Sequence, residues 1–258
     1  MKRPVIIALG LGAALFCLIY FGLDTKPSEQ RAVEKSRAAN MEATGIQNIL
    51  SEARDTLSGD SRAYLEALNE EVRSAPDDTV KVAKLKQLSA AWYEQGNTLI
   101  SGYYAEEIAK LTGEHDAWAV AGTTYILGMR SVRDEANRSY ARKRAIQAIE
   151  TAISLEPDNV SDQINLALIY VEAPDTNPMQ GILMLRDLND KYPASVKVLN
   201  QLARLAIQTG QTEKALERLT TAYGLEPDNQ NTVCMLAKAY EMSGDQQKVL
   251  QFQQLCSQ

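Results

Sequence analysis

Apolar residues recur at every third or fourth position through most of this chain, which is the spacing of one face of an α-helix. One apolar stripe runs over 46–57, and a break at Gly59 separates it from a second stripe over 64–72. Further amphipathic segments then follow one another in pairs. The pattern predicts an all-α chain, with a helical hairpin over 44–78 and an array of paired helices over 79–258.

The N-terminus has a different pattern. After a basic tail over 1–3, the segment from Pro4 to Leu23 holds twenty residues without a charge, enough for a helix to cross a bilayer core about 30 Å thick. No small-residue cleavage site follows it, so we expect an uncleaved transmembrane anchor. Residues 24–43 are polar and are expected to form a linker or a helical stalk.

The charges that flank this segment favour two opposite orientations. Lys2 and Arg3 before it and Asp24 after it place the N-terminus in the cytoplasm. Four cations in the linker argue for the reverse: Lys26, Arg31, Lys35 and Arg37. Because a three-residue tail ahead of a long C-terminal domain is typical of a signal anchor, we expect the C-terminal domain to be exported.

A pentapeptide, LEPDN, occurs twice in the paired region, starting at Leu155 and at Leu225. Three prolines close successive helical pairs: Pro157, Pro193 and Pro227, at spacings of 36 and 34 residues. Proline cannot continue a helix, and the asparagine of LEPDN can cap the next one. Repetition at this period indicates stacked units.

The clearest unit, 196–229, places small and large apolar residues in a fixed order. Ala203 and Ala215 allow two helix backbones to approach closely, and Gly210 permits the turn between them. The segment WAVAGTTY, 118–125, has the same order in a first helix. The apolar, small and turn positions of the clearest unit are Leu199, Leu202, Ala203, Ala206, Gly210, Ala215, Leu219, Ala222, Leu225 and Pro227.

These positions resemble the tetratricopeptide repeat (TPR), in which two antiparallel helices form each unit. The resemblance covers roughly residues 80–258. It implies a right-handed α-solenoid of about five helix pairs, the second of which carries an insertion near 126–144.

The resemblance also implies a binding site, because first helices of TPR arrays line a groove that holds a peptide or a helix. The middle of this groove would be apolar and its C-terminal end basic and rich in amides, which suits a peptide with an apolar segment and an acidic or carboxylate end. The groove-facing positions are Lys86, Tyr93, Ala119, Thr123, Ile126, Leu127, Ile164, Leu168, Val171, Lys197, Asn200, Arg204, Asn231 and Lys238.

The insertion is a second candidate surface because it is strongly basic. Six cations against two acids give it a local charge of +4, which either docks an acidic partner or keeps a long helix soluble. The cations are Arg130, Arg133, Arg138, Arg142, Lys143 and Arg144.

The composition of the chain argues against several classes of partner and of functional site. The formal net charge of −6 argues against a nucleic-acid partner. One histidine and three cysteines are too few for an ordinary zinc cluster, and no catalytic motif appears, so we expect no enzyme, no metal and no cofactor. His115 is expected to be a surface or capping residue. Cys234 and Cys256 are expected to be unpaired small apolar residues rather than a disulfide.

The sequence therefore predicts a membrane-tethered TPR scaffold that binds partner polypeptides, similar to membrane-anchored proteins of the bacterial envelope. Its domain would lie on the periplasmic side of an inner membrane, in a chaperone-like or complex-assembly role. Two alternatives stay open: a structural or oligomerising component without a peptide client, and a cytosol-facing receptor of the import-receptor type.

Overall fold

The computed structural model describes residues 45–173, 177 and 179–257, and every regular element among them is a helix. The predicted anchor and linker lie outside these residues. Within the described part of the chain, no helix combines the length and the apolar character that a bilayer crossing requires. The twelve described helices are α1 Ile46–Thr56, α2 Gly59–Arg73, α3 Asp78–Glu94, α4 Thr98–Thr112, α5 His115–Ser131, α6 Glu135–Leu155, α7 Val160–Glu172, α8 Gln180–Lys191, α9 Val196–Gln208, α10 Thr212–Leu225, α11 Gln230–Ser243 and α12 Gln246–Cys256.

The chain divides into two compact units, 1–48 and 49–258, and the second holds the helical array. From α2 onward, each helix packs against the next one along the chain. The first helices of the pairs also meet directly, α5 with α7 and α9 with α11. This is the solenoid of helix pairs that the repeat predicts.

The recurrent LEPDN segment ends one helix and starts the next. The helices α6 and α10 end at Leu155 and Leu225, two residues before Pro157 and Pro227. The Asn229 side chain then accepts a hydrogen bond from the backbone N–H of Thr232 at 3.2 Å, which caps α11. Asn159 caps α7 in the same way. The two LEPDN copies thus place a helix end and a helix cap four residues apart at the corresponding joints of their two units.

Glycines allow the closest contacts between helices. A Cβ on Gly128 would lie 2.9 Å from the Cα of Leu99, so α5 and α4 touch backbone to backbone there. Gly181 lies against the backbone of α7 in the same manner. Gly210 has a different role, because its φ of 70° is the left-handed conformation that the turn after α9 requires.

The insertion lengthens both helices of the second pair, so that α5 has 17 residues and α6 has 21. Two of its six cations pair with carboxylates of other helices. Arg130 donates two hydrogen bonds of 2.6 Å to the carboxylate of Glu172, and Arg144 pairs with Glu106. Arg133 and Lys143 remain exposed. Through Arg130 and Arg144 the basic segment forms an internal brace between helices, while Arg133 and Lys143 keep part of it at the surface.

A buried carboxylate sits at the centre of this brace. Glu106 is only 2% exposed. It accepts a hydrogen bond of 2.9 Å from the hydroxyl of Tyr125, and Lys110 lies 2.8 Å away on the same helix. Burial raises the pKa of Tyr125, so its hydroxyl stays protonated and remains a donor. With Arg144, these groups tie α4, α5 and α6 together.

Cys234 and Cys256 form a disulfide that joins α11 to α12, so the expectation of two unpaired residues is wrong. Their Cα atoms are 4.9 Å apart, within the range that a disulfide spans. The repeat places the two residues on facing helices, but helical spacing alone does not show that their Cβ atoms point at one another.

Removal of this disulfide is expected to destabilise the α11–α12 pair by about 2–3 kcal/mol. The crosslink closes a loop across a separation of 22 residues, which restricts the unfolded chain. Urea unfolding with and without a thiol reductant measures the effect. The double variant Cys234→Ser, Cys256→Ser should match the reduced protein and no longer respond to reductant. Equal midpoints for oxidised and reduced protein would contradict the prediction.

Candidate functional site

A cavity of about 270 Å³, which we call the amide cavity, opens among the first helices α7, α9 and α11. Four of the residues predicted to face the groove converge here: Ile164, Lys197, Asn200 and Asn231. The structure adds four polar side chains that the sequence pattern did not indicate: Ser161, Asn165, Gln201 and Asn229. Carboxamides supply both donors and acceptors, so this lining suits a polar ligand.

The amide cavity lies at the starts of its three helices, which begin at Val160, Val196 and Gln230. Helix N-termini carry partial positive charge. Lys197 adds a full positive charge and donates a hydrogen bond to Ser161 at 2.8 Å, which holds its ammonium group at the cavity. The electrostatics therefore favour an anionic group such as a carboxylate.

One wall of the amide cavity is fixed by a buried hydrogen-bond pair. Asn200 on α9 donates to the hydroxyl of Thr232 on α11 at 2.9 Å, and that hydroxyl lies 3.1 Å from the amide oxygen of Asn200. Both side chains are buried. The amide oxygen of Gln201 is also buried, and no residue of the described chain provides it with a hydrogen bond. Asn200 thus positions this wall of the cavity.

A second cavity, of about 490 Å³, lies between α3, α4 and α5, and we call it the apolar cavity. Lys86 and Tyr93, both predicted to face the groove, line it. Its remaining lining residues are Ser89, Ala90, Glu94, Ser101, Ala105, Ile108, Thr112, Glu114, Asp116, Ala117 and Val120. The volume is within the range of about 300–1,000 Å³ that is typical of ligand pockets.

Comparison with solved structures identifies the arrangement of helix pairs. The crystal structure of TTC0263, a TPR protein of Thermus thermophilus, matches with a TM-score of 0.51 over 78% of this chain and 97% of that one, at 15% identity. A TPR protein of Parabacteroides merdae ATCC 43184 matches with a TM-score of 0.50 over 84% and 77% of the two chains, at 14% identity.

The fold is that of a TPR array. No protein-family model matches the chain. At the level of sequence, it is 31% identical over 83 residues to the TPR repeat-containing protein YpiA of Bacillus subtilis (strain 168) and 31% identical over 113 residues to the CTR9 homolog of Arabidopsis thaliana. The chain spans only 19% and 10% of the lengths of these relatives. TPR folds typically serve as non-catalytic scaffolds for protein interactions.

Several residues predicted to face the groove of this TPR array are instead buried between helices. Ile164 and Leu168 belong to a cluster with Leu185, Val198 and Leu202, and so pack α7 against α8 and α9. Ile126 is also buried, with 5% of its surface exposed. These apolar side chains offer little surface to a ligand because neighbouring helices already cover them.

Most of the other predicted residues retain some exposure, whereas Asn200 is buried. Leu127 is 40% exposed, and Lys238 is exposed outside both cavities. Arg204 is half-buried, and its Nε lacks a hydrogen-bond partner among the residues that the structure describes. Three further predicted residues are half-buried: Ala119, Thr123 and Val171.

His115 joins two units of the TPR array. It begins α5, and its Nε2 lies 2.7 Å from the carboxylate of Asp162 on α7. Its Nδ1 lies 2.9 Å from Asp116 and 3.6 Å from Glu156. The hydrogen bond with Asp162 raises the pKa of His115, and the two other carboxylates raise it further, whereas burial opposes the shift. The histidine is therefore a link between first helices rather than a simple surface residue.

The contribution of His115 to stability is expected to fall as the pH rises. Because the folded state holds the proton more tightly, the stabilisation is fully present below the unfolded pKa of about 6.5 and is lost as the pH passes through the higher folded pKa. The measurement is the free energy of unfolding of wild type and His115→Gln at several pH values from about 5.5 upward, which begins below the unfolded pKa and follows the loss as the pH rises. The difference between the two proteins should shrink with rising pH, and a constant difference would contradict this assignment.

Proposed function

We propose that this TPR array is an adaptor that binds an extended segment of a partner protein along its first helices, with the acidic or C-terminal end of that segment in the amide cavity. The observation that carries the proposal is the convergence of Lys197, Asn200 and Asn231 at the starts of three helices. A carboxylate there would receive donors from carboxamides and an ammonium group, and charge-assisted hydrogen bonds of this kind are among the stronger polar contacts.

Fluorescence anisotropy of two labelled peptides tests this proposal directly. The peptides share one acidic, apolar sequence, and one ends in a free carboxylate whereas the other ends in an amide. We expect the free acid to bind on the order of tenfold more tightly, because one charge-assisted contact is worth roughly 1.5–3 kcal/mol. Raising the salt concentration should reduce the difference.

Two lysine variants locate the binding event. Lys197→Glu should abolish the preference for the free acid, because it replaces the cation at the cavity with an anion. Lys214→Glu changes the net charge equally but lies exposed on α10, a second helix, so it should behave as wild type. Equal affinities for both peptides, or equal losses in both variants, would refute a carboxylate site in the amide cavity.

The adaptor is further proposed to be tethered to a bacterial inner membrane and exported, with a chaperone-like or assembly role. The uncharged segment from Pro4 to Leu23 supports the tether. The disulfide between Cys234 and Cys256 supports export, since disulfides persist mainly in oxidising compartments. Protease digestion of spheroplasts tests the orientation: an exported domain is cleaved while the cytoplasmic membrane is intact, whereas a cytosol-facing receptor is protected.

Exposed leucines on second helices favour a second candidate, a scaffold that contacts its partners away from the groove. Leu183 on α8 and Leu250 on α12 are 45% and 68% exposed. Crosslinking in membranes separates the candidates. Partners lost in the double variant Arg204→Glu, Lys238→Glu would favour the groove, and partners lost only in Leu250→Asp would favour the scaffold contact.

A further inference from the structure

We propose that the apolar cavity is a second peptide site with the opposite charge preference, which takes an apolar side chain flanked by lysine or arginine. This inference rests on the proposed function only in taking the ligand to be a peptide segment. The site lies on α3, α4 and α5, whereas the amide cavity lies on α7, α9 and α11, and no lining residue is shared.

The lining of the apolar cavity accounts for the apolar part of the ligand. Tyr93 and Val120 at its edge are 52% and 56% exposed, so ligand binding would remove substantial apolar surface from water. Ile108 forms part of the floor and is buried. The hydroxyl groups of Ser89 and Ser101 on the floor form a hydrogen bond with each other at 3.1 Å, so neither hydroxyl needs a hydrogen bond from a ligand.

Acidic residues at the rim of the apolar cavity explain why the ligand would carry a lysine or arginine beside its apolar residue. Glu94 ends α3, and Glu114 and Asp116 lie at the start of α5, whereas Lys86 is the cation of the lining. The lining therefore carries a net charge of −2. Asp116 is held by His115 at 2.9 Å, and its side chain is 95% exposed. A lysine or arginine beside the inserted apolar residue would pair with these carboxylates, and an acidic residue would be repelled.

The two cavities together assign a polarity to a client that fills both. A C-terminal carboxylate in the amide cavity places the upstream part of the same segment toward α5 and α3. The client sequence would then carry a cation beside an apolar residue first and an acidic end after it. A peptide with the reverse order would meet like charges at both positions.

Three acetylated, C-terminally amidated peptides test the site, because they carry no C-terminal carboxylate for the amide cavity; measuring them also in Lys197→Gln, which removes the cation of that cavity, excludes binding of glutamate side chains there. They share a serine–glycine host and differ in the centre: Lys-Leu-Phe-Lys, Glu-Leu-Phe-Glu and Lys-Ser-Ser-Lys. We expect the first to bind most tightly. The acidic peptide should be at least about fivefold weaker through charge repulsion, and the serine peptide at least about tenfold weaker through lost apolar burial.

Charge-swap variants test whether the preference for lysine-flanked peptides comes from the acidic residues of the rim. The double variant Glu94→Lys, Glu114→Lys should reverse the order of the first two peptides. The matched control Glu213→Lys, Glu217→Lys makes the same change in net charge on the exposed face of α10 and should keep the wild-type order. If the rim double variant does not fold, Val120→Ser, at an exposed position, should still weaken the Lys-Leu-Phe-Lys peptide about fivefold relative to wild type.

The outcomes separate this inference from the proposed function. Binding of the Lys-Leu-Phe-Lys peptide without binding of the acidic free-carboxylate peptide leaves this inference standing and removes the amide-cavity proposal. Binding of the free-carboxylate peptide alone, or equal affinities for the lysine-flanked and glutamate-flanked peptides, overturns this inference and leaves the proposed function intact.

Discussion

Replacement of Gly181 by alanine is expected to destabilise the α7–α8 pair by about 3 kcal/mol. A Cβ at this position would overlap the carbonyl oxygen of Ala167 and lie 2.7 Å from the backbone nitrogen of Val171. Overpacking a core typically costs about 1–3 kcal/mol, and the upper end applies where rigid backbone is the obstacle. The two helices must therefore move apart, which opens the core cluster that includes Leu168 and Leu185.

Gly224→Ala provides the matched control. Gly224 lies within α10, and a Cβ there would meet no atom within 4 Å. The same substitution should stabilise the protein by about 0.5–1 kcal/mol, because alanine favours the helix. Urea unfolding monitored by circular dichroism gives both values, and hydrogen exchange should show the loss of protection in α7 and α8. Similar effects at both glycines would contradict the close contact between these helices.

Truncation of Tyr125 is the second change with a large expected effect. Its side chain is fully buried, its ring lies over Gly102, and its hydroxyl donates to Glu106 at 2.9 Å. Tyr125→Ala should destabilise the protein by about 3–5 kcal/mol, because it leaves a cavity and removes a hydrogen bond from a buried carboxylate.

Two further tyrosine variants separate the contribution of ring packing from that of the hydroxyl group. Tyr125→Phe keeps the ring and loses the hydrogen bonds of the hydroxyl with Glu106 and Tyr140, so a smaller loss of about 1–2 kcal/mol is expected. Tyr93→Ala removes a ring that is 52% exposed and should change stability by less than about 1 kcal/mol. Thermal and urea unfolding provide the comparison. A loss for Tyr125→Phe as large as that for Tyr125→Ala would assign the whole effect to the hydroxyl and refute the packing role.

The fold could be predicted because its signals are local in the sequence. Pro157 and Pro227 follow the ends of helices, because proline cannot continue a helix. Asn229 caps the next helix through its own side chain. Gly210 has a positive φ, which residues other than glycine rarely adopt. The small residues at fixed spacing likewise reflect contacts within one helix pair. Each of these signals depends on neighbours within one repeat, so the period alone was sufficient to reveal the pairs.

The site could be predicted only in part, because groove exposure depends on neighbouring units. Lys197 and Asn231 line the amide cavity, whereas Leu168 packs against the following unit, and Ile164 is largely buried in the same cluster although it also lines that cavity. Whether a first-helix position faces a ligand or the next helix depends on the angle between units, which no single repeat encodes. The partner of Cys234 was missed for a related reason, since a distance between side chains on two helices is not a sequence spacing.

Among the described residues, polar side-chain bonds join the first helices α5 and α7 and the first helices α9 and α11, whereas an exposed bond joins α7 and α9. His115 and Asp162 join α5 to α7, and Asn200 and Thr232 join α9 to α11. Between α7 and α9, the bond of Lys197 to Ser161 is exposed to competing water, and the apolar contacts beside it do not fix an angle. Of these three steps, α7–α9 is therefore the one at which we expect the angle between units to change most easily. The amide cavity spans that step, so an anion bound there would hold α7, α9 and α11 at one mutual angle.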